Sequence, residues 1–236
     1  MVEPRVAAEE IATTMKAASI PSVSFFFLLL LSSAIATFGL LANSAPAVIG
    51  AMIIAPLMTP IMGLSYGVIH LNWSQIARSS ITVALGVLVV VVISFLSSRF
   101  IDIRVTGTEM FSRAFPTLLD LGVAMAAGAA GAFVMSRESI RNSIAGVAIS
   151  VALVPPLAVV GIGLAMGRRA TADIGLSFRE VGLFSGGSDI AAGAFVLFLT
   201  NLAAIIVVAG IVMSFQGYGR WKRGIIGLTA VVAASI

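Results

Sequence analysis

Six polar side chains stand inside or at the ends of stretches otherwise too apolar to hold them: Asn43, Asp120, Asn142, Asp189, Thr200 and Asn201. Such groups are costly away from water, so each either bonds a neighbouring helix or marks a path for an ion or proton. Asp120 and Asp189 are the carboxylates that would hold a cation or proton. The simpler reading of both is a helix-start carboxylate favoured by the helix dipole. Ser185-Gly186-Gly187-Ser188, just before Asp189, also offers backbone N–H groups to an anion, a weak signal because glycine turns before helices are ordinary. Asn43-Ser44 and Asn142-Ser143 open two apolar segments, where they would cap a helix start or lend their amides to a polar path. Thr200 and Asn201 lie within a third segment, away from its ends, with the same choice between a helix neighbour and a path.

Proline is the second unusual feature. NSAPAVIGAMIIAPLMTP (43–60) carries helix breakers within one of the most apolar parts of the chain, and NSIAGVAISVALVPPL (142–157) does the same. Pro56 cannot donate to the carbonyl of Met52, nor Pro60 to that of Pro56, and Pro155 and Pro156 release those of Val151 and Ala152. In hydrocarbon such carbonyls must be satisfied by neighbouring helices, water or a ligand. Thr59 lies among these prolines and joins the candidates to line a site.

The elements that hold these residues follow from composition. The 236 residues are 59% hydrophobic and 10% charged, with a mean hydropathy of +1.12. Apolar runs at 23–42, 46–69, 79–98, 117–135, 143–166 and 190–215 each approach or exceed the roughly 20 residues that cross a bilayer as a helix. Runs such as 87–92, Val-Leu-Val-Val-Val-Val, do not alternate as barrel strands must. The expectation is an all-α polytopic membrane protein of six spans. A partial seventh segment follows at 224–236, after the basic Arg220-Trp221-Lys222-Arg223. Residues 1–20 fit a short, weakly amphipathic surface helix with Val6, Ile11 and Met15 turned toward lipid or protein. Cysteine is absent and His70 is the single histidine, which excludes disulfides, thiol catalysis and Cys/His metal sites. His70, beside Asn72 and Trp73, fits an interfacial belt.

With six spans, the N-terminus and the connections after spans two, four and six share one side. That side carries Arg5, Lys16, Arg78, Arg137, Arg141, Arg220, Lys222 and Arg223 against six arginines opposite, which favours a cytoplasmic N-terminus in a cell inner membrane. The net charge of +4 is therefore read as topology rather than nucleic-acid binding.

The two proline segments are also copies of one pattern. Asn43, Ser44, Val48 and Pro56 map onto Asn142, Ser143, Val147 and Pro155 at one offset (142 − 43 = 99), and Gly63–Gly67 matches Gly163–Gly167 after one residue of slippage. The reading is a surface leader (1–20), a three-helix repeat (21–99), an extramembrane loop (100–116), a second repeat (117–215) and the basic C-terminal segment (216–236). Three is odd, so the repeats are related by inverted topology, with the expected site near the midplane between two broken helices. Asn43, Ser44, Pro56, Thr59, Pro60, Asn142, Ser143, Pro155, Pro156 and Asn201 would shape and line it, and Asp189 or Asp120 would couple a cation. Small residues four apart, Ala124 with Gly128 and Ala127 with Gly131, permit close helix contact, within the chain or between copies in a homo-oligomer.

NSAPAVIGAMIIAPLMTPIMGLSYG (43–67), DLGVAMAAGAAGAFVMSR (120–137), GVAISVALVPPLAVVGIGLA (146–165) and AGAFVLFLTNLAAI (192–205) resemble the bacterial and archaeal hydrophobic membrane family catalogued as domain of unknown function 389. The resemblance implies a multi-pass membrane domain and carries no activity with it. From the residues, the expected function is transport of a small ion or polar solute, with a channel of the same architecture or a non-transporting scaffold or sensor as alternatives. No Gly-x-Ser-x-Gly elbow or His-Glu-x-x-His pair is present, so an enzyme is not expected, and neither a cofactor nor a metal is called for. The expected partners are the bilayer, the small solute and further copies of the chain.

Overall fold

The computed structural model describes residues 6–101, 107–137, 145–167 and 187–219, with side chains from residue 152 onward in the third stretch. Among these residues the chain forms α1 (Ala8–Ala18), α2 (Val23–Leu41), α3 (Ala45–Ile54), α4 (Met58–His70), α5 (Trp73–Arg99), the single turn α6 (Thr108–Phe111), α7 (Leu118–Met135), α8 (Ala145–Met166) and α9 (Gly187–Phe215). The described part of each of the six apolar runs is largely helical, with a break at 55–57 in the second. Four helices, α2, α5, α7 and α9, are long and apolar enough to cross a membrane, and α3 with α4 makes a fifth span if the bent pair counts as one. The segment 224–236 lies outside the described residues.

Local chemistry sets the boundaries. The Ser22 hydroxyl accepts the Phe25 N–H at 3.1 Å and starts α2, and Asn72 Oδ1 accepts the Gln75 N–H at 3.2 Å and starts α5. Between α3 and α4, Ala55 is extended (φ −68°, ψ 123°), as the steric demand of a following proline requires, and the two helix axes differ by 58°.

Four contacts tie Val6 to the segments just past α7 and α9, and the end of α1 to the first turns of α5. The Val6 N–H donates to Ser136 O (3.1 Å) just past α7, and the Tyr218 hydroxyl beyond α9 donates to Val6 O (2.8 Å). Ser19 Oγ pairs with Ser79 Oγ (2.9 Å), and Thr82 Oγ1 donates to Ser19 O (2.7 Å), early in α5. At the opposite end, Asn43 after α2 meets Thr108 and Glu109 of α6. Helix α1 packs on α4 and buries Val6, Ile11 and Met15, so its apolar side faces protein.

Helix α5 packs on α8, α9 packs on α7, α8 and α4, and α2 packs on α3 and α5. Buried hydroxyls stitch several of these seams: Ser32 donates to Ala51 O (2.7 Å), Thr37 to Ser94 Oγ (2.8 Å) and Ser65 to Ile206 O (2.9 Å). Large apolar side chains such as Phe27, Leu31, Ile81, Leu88 and Val196 point outward, the surface a helical bundle presents to hydrocarbon.

Candidate functional site

Helices α3, α7, α8 and α9 line a cavity of about 200 Å³ that opens to the surface at Ser112 and Val123. Met52 lines it from α3, Asp120 and Val123 from the first turns of α7, Ala152 and Pro156 from α8, and Leu197 and Asn201 from α9, with Ser112 and Arg113 of the segment after α6 beside them. Exposure falls along this wall from the exposed Ser112, through half-buried Arg113 and Asp120, to Asn201 at 3%.

Asn201 is the polar residue of the buried wall. Its Nδ2 donates to Ala152 O at 3.0 Å. In an unbroken helix that carbonyl would accept the N–H of residue 156, which proline lacks. The side chain from α9 replaces the missing donor, and α8 runs from Ala145 to Met166 without interruption, with Pro155 and Pro156 inside it. The break expected at these prolines is absent, whereas the one at Pro56 is present. A related substitution serves the first segment, where Thr59 Oγ1 donates at 3.3 Å to Pro56 O, the carbonyl that Pro60 cannot serve.

One N–H of Nδ2 is spent on Ala152 O, and among the described residues the fully buried Oδ1 has no hydrogen-bond partner. A buried acceptor left so costs about 1–3 kcal/mol. Asp120 forms a capping box with Thr117: Oδ2 accepts Thr117 N–H (3.0 Å) and Oγ1–H (2.6 Å), and Thr117 Oγ1 accepts the Asp120 N–H (3.2 Å). The helix-start role anticipated for Asp120 thus coexists with a place on the cavity wall. Arg113 is compensated, since Nη1 donates to Glu109 Oε2 at 2.8 Å.

The other candidates lie elsewhere. Asn43 is a left-handed residue (φ 52°) after α2, where its N–H donates to Leu40 O (3.1 Å) and that of Ser44 to Gly39 O (2.8 Å). This is a helix C-terminal motif, adopted because the chain must reverse within residues 42–44 and asparagine tolerates positive φ. Asn43 therefore does not cap α3. Ser44 occupies that position with no side-chain cap bond, and Asn43 Oδ1 instead accepts the Glu109 N–H (3.0 Å) and the Thr108 hydroxyl (3.2 Å). Asn43→Ala is expected to unfold at lower temperature than Asn43→Gly by the equivalent of about 1 kcal/mol, since both lose the tie to α6 but glycine keeps the backbone at ease. Equal midpoints in detergent would contradict that role.

Pro60 and Pro155 are buried, Pro56 is half-buried and Thr59 is exposed, and none of the four lines the cavity. Asp189 sits half-buried in the first turn of α9, also away from it. Nearby, a Cβ on Gly187 would collide with Gly163 O, so this glycine serves close approach of α9 to α8. Asn142, Ser143, Ser185 and Gly186 lie outside the described residues. Met52, Ser112, Arg113 and Val123 were not among the sequence candidates. For Arg113 the available signal was its spacing from Glu109, which pairs them on one helical turn but says nothing of where that turn packs.

A helical bundle with an outward apolar surface and a polar cavity between its helices defines a multi-pass membrane protein. More particularly, the chain belongs to the family described as a domain of unknown function (DUF389), whose profile matches residues 52–207. That interval contains every residue lining the cavity, from Met52 to Asn201. An uncharacterized protein of Methanocaldococcus jannaschii is 30% identical over 200 residues, covering 83% of this chain and 56% of its own, so this chain spans about half the length of that relative. No solved structure matches the chain significantly.

Proposed function

We propose that the protein is a membrane transport protein that moves a small ion or polar solute through the cavity between α3 and α8. The observation that carries this reading is Asn201: a buried amide whose oxygen has no partner among the described residues, on a residue that lines a cavity bordered by both proline-bearing segments. The inverted repeat read from the sequence, Asn43–Pro56 against Asn142–Pro155, is a second support. On that reading α2, α3 with α4, and α5 correspond to α7, α8 and α9. Packing across the units is reciprocal, since the third helix of each, α5 or α9, lies against the proline-bearing segment of the other, α8 or α4. Inverted-repeat transporters place their sites at such a junction. The excess of Arg and Lys that the six-span reading gives to the N-terminal side favours a cytoplasmic N-terminus.

The test is flux into proteoliposomes of wild-type protein and Asn201→Leu, each shown to be folded and inserted. We expect saturable, solute-selective flux in the wild type, reduced at least ~10-fold in the variant, the equivalent of about 1.4 kcal/mol at the site. Flux that does not saturate would identify a channel of the same architecture. No flux above empty liposomes would reject the proposal and favour a scaffold or sensor.

A further inference from the structure

We infer that residues 6–19 form a strap that holds the bundle closed at the end opposite the cavity mouth, and that it must release at Val6 for that end to open. The inference rests on the transport reading, since a path through the bundle needs both ends to open in turn. The mouth, at Ser112 and Val123, lies beside the first turns of α7. Beneath the cavity the packing closes. On α9, Asn201, Ile205, Ala209 and Met213 follow at four-residue spacing and are all buried, a stretch of about 18 Å at the rise of a helix. A Cβ on Gly128 of α7 would stand 2.8 Å from Ile205 O, so α7 and α9 touch directly below Asn201.

The strap crosses the far ends of these same two helices. The Val6 N–H donates to Ser136 O (3.1 Å) at the end of α7, and the Val6 carbonyl accepts the Tyr218 hydroxyl (2.8 Å) just past α9. Its other end is held by α5. Gln75 Nε2 donates to Met15 O (2.8 Å), Thr82 Oγ1 donates to Ser19 O (2.7 Å), and Ser19 Oγ shares a hydrogen bond with Ser79 Oγ (2.9 Å). Between these anchors Ile11 and Met15 are buried where α1 packs on α4. One short segment thus ties α7 and α9 to α4 and α5, which on the repeat reading is the second unit to the first. Those units must part at this end for it to open. Val6 is held there by two hydrogen bonds, whereas Met15 and Ser19 are held by three, with two buried apolar side chains beside them. The strap therefore lets go at Val6 and stays on α4 and α5.

The chain has no cysteine of its own, so a single thiol can report whether the closed end opens. In the purified full chain, Ala209→Cys is exposed to a permanently charged methanethiosulfonate, which needs a wet path to reach it. We expect slow reaction, made about fivefold faster by adding Tyr218→Phe, which removes one neutral hydrogen bond from the strap. Leu40→Cys, buried at the end of α2, should react at the same rate with and without Tyr218→Phe. An unchanged rate at position 209, or equal acceleration at 40 and 209, overturns the inference, the second because it shows general loosening. A cross-link supplies the converse. Val6→Cys with Ser136→Cys, joined by a short bis-methanethiosulfonate and freed by dithiothreitol, is placed in proteoliposomes with rubidium, chloride and glycine tracers. A contact that stays made throughout the cycle tolerates this link, whereas a strap that must lift does not, so flux should stop when the pair is joined and return on reduction. Undiminished flux through linked protein overturns the strap and keeps transport. Failure of all three tracers to cross with the wild type, beside the expected result at position 209, keeps the strap and removes the transport reading.

Discussion

Gly161→Val is expected to destabilise the bundle by about 3 kcal/mol or more, the upper end of the cost of overpacking. A Cβ at Gly161 would stand 2.5 Å from Val91 O, 2.6 Å from Ser94 Cβ and 2.9 Å from Phe95 N. Two of these are backbone atoms of α5 and cannot rotate aside, so α5 and α8 would have to separate. Between helices in lipid no hydrophobic drive offsets that loss, because association rests on close packing and hydrogen bonds. Gly50 and Gly122 provide the comparison, since a Cβ at either meets nothing within 4 Å. Gly50→Ala and Gly122→Ala are expected to be neutral or to gain up to ~1 kcal/mol of helix propensity. Unfolding by denaturing detergent reads all three variants on one scale. A Gly161→Val protein as stable as Gly122→Ala would mean that the α5–α8 contact is not the tight seam described here.

The second large effect concerns the donor that Asn201 lends to α8. Asn201→Leu leaves Ala152 O, on a residue 6% exposed, without its 3.0 Å partner, and is expected to cost about 1–3 kcal/mol of stability. Its cause can be isolated. Pro156→Ala restores a backbone N–H one turn beyond Ala152, so the helix can satisfy its own carbonyl and Asn201 becomes dispensable there. In that background Asn201→Leu should cost less, giving a coupling on the order of 1 kcal/mol in a double-mutant cycle. An undiminished penalty would show that Asn201 acts through something other than the proline vacancy. On the proposed transport reading, flux should behave differently from stability: the double variant regains the helix but still lacks the Asn201 amide, so it should remain as defective in flux as Asn201→Leu alone.

Much of this site was legible in part. The rule that a proline frees the carbonyl four residues earlier named Ala152 and Pro56 as needing donors, and the structure supplies them from Asn201 and Thr59. The sequence did not pair them, because Asn201 is 49 residues from Ala152 and no local pattern encodes which helix faces which. The expected break at Pro155 failed for the same reason, since a donor from another helix lets α8 continue. Asn43 was misplaced by one helix: a capping residue type before an apolar run reads as the start of that run, yet the turn geometry made it the end of the preceding helix.

What the sequence determined by itself is an all-helical chain with several helices long and apolar enough to cross a membrane, because that is decided by length and apolarity summed along one segment. It also determined which backbone carbonyls the prolines would strand, a purely covalent consequence. The tertiary structure alone decided which side chains answer those carbonyls, that α1 turns Val6, Ile11 and Met15 into the protein rather than toward lipid, and that Arg113, Asp120 and Asn201 share one cavity. These are matters of distance between segments far apart in the chain, set by how apolar helices with few distinguishing residues pack against one another at glycine and hydroxyl contacts.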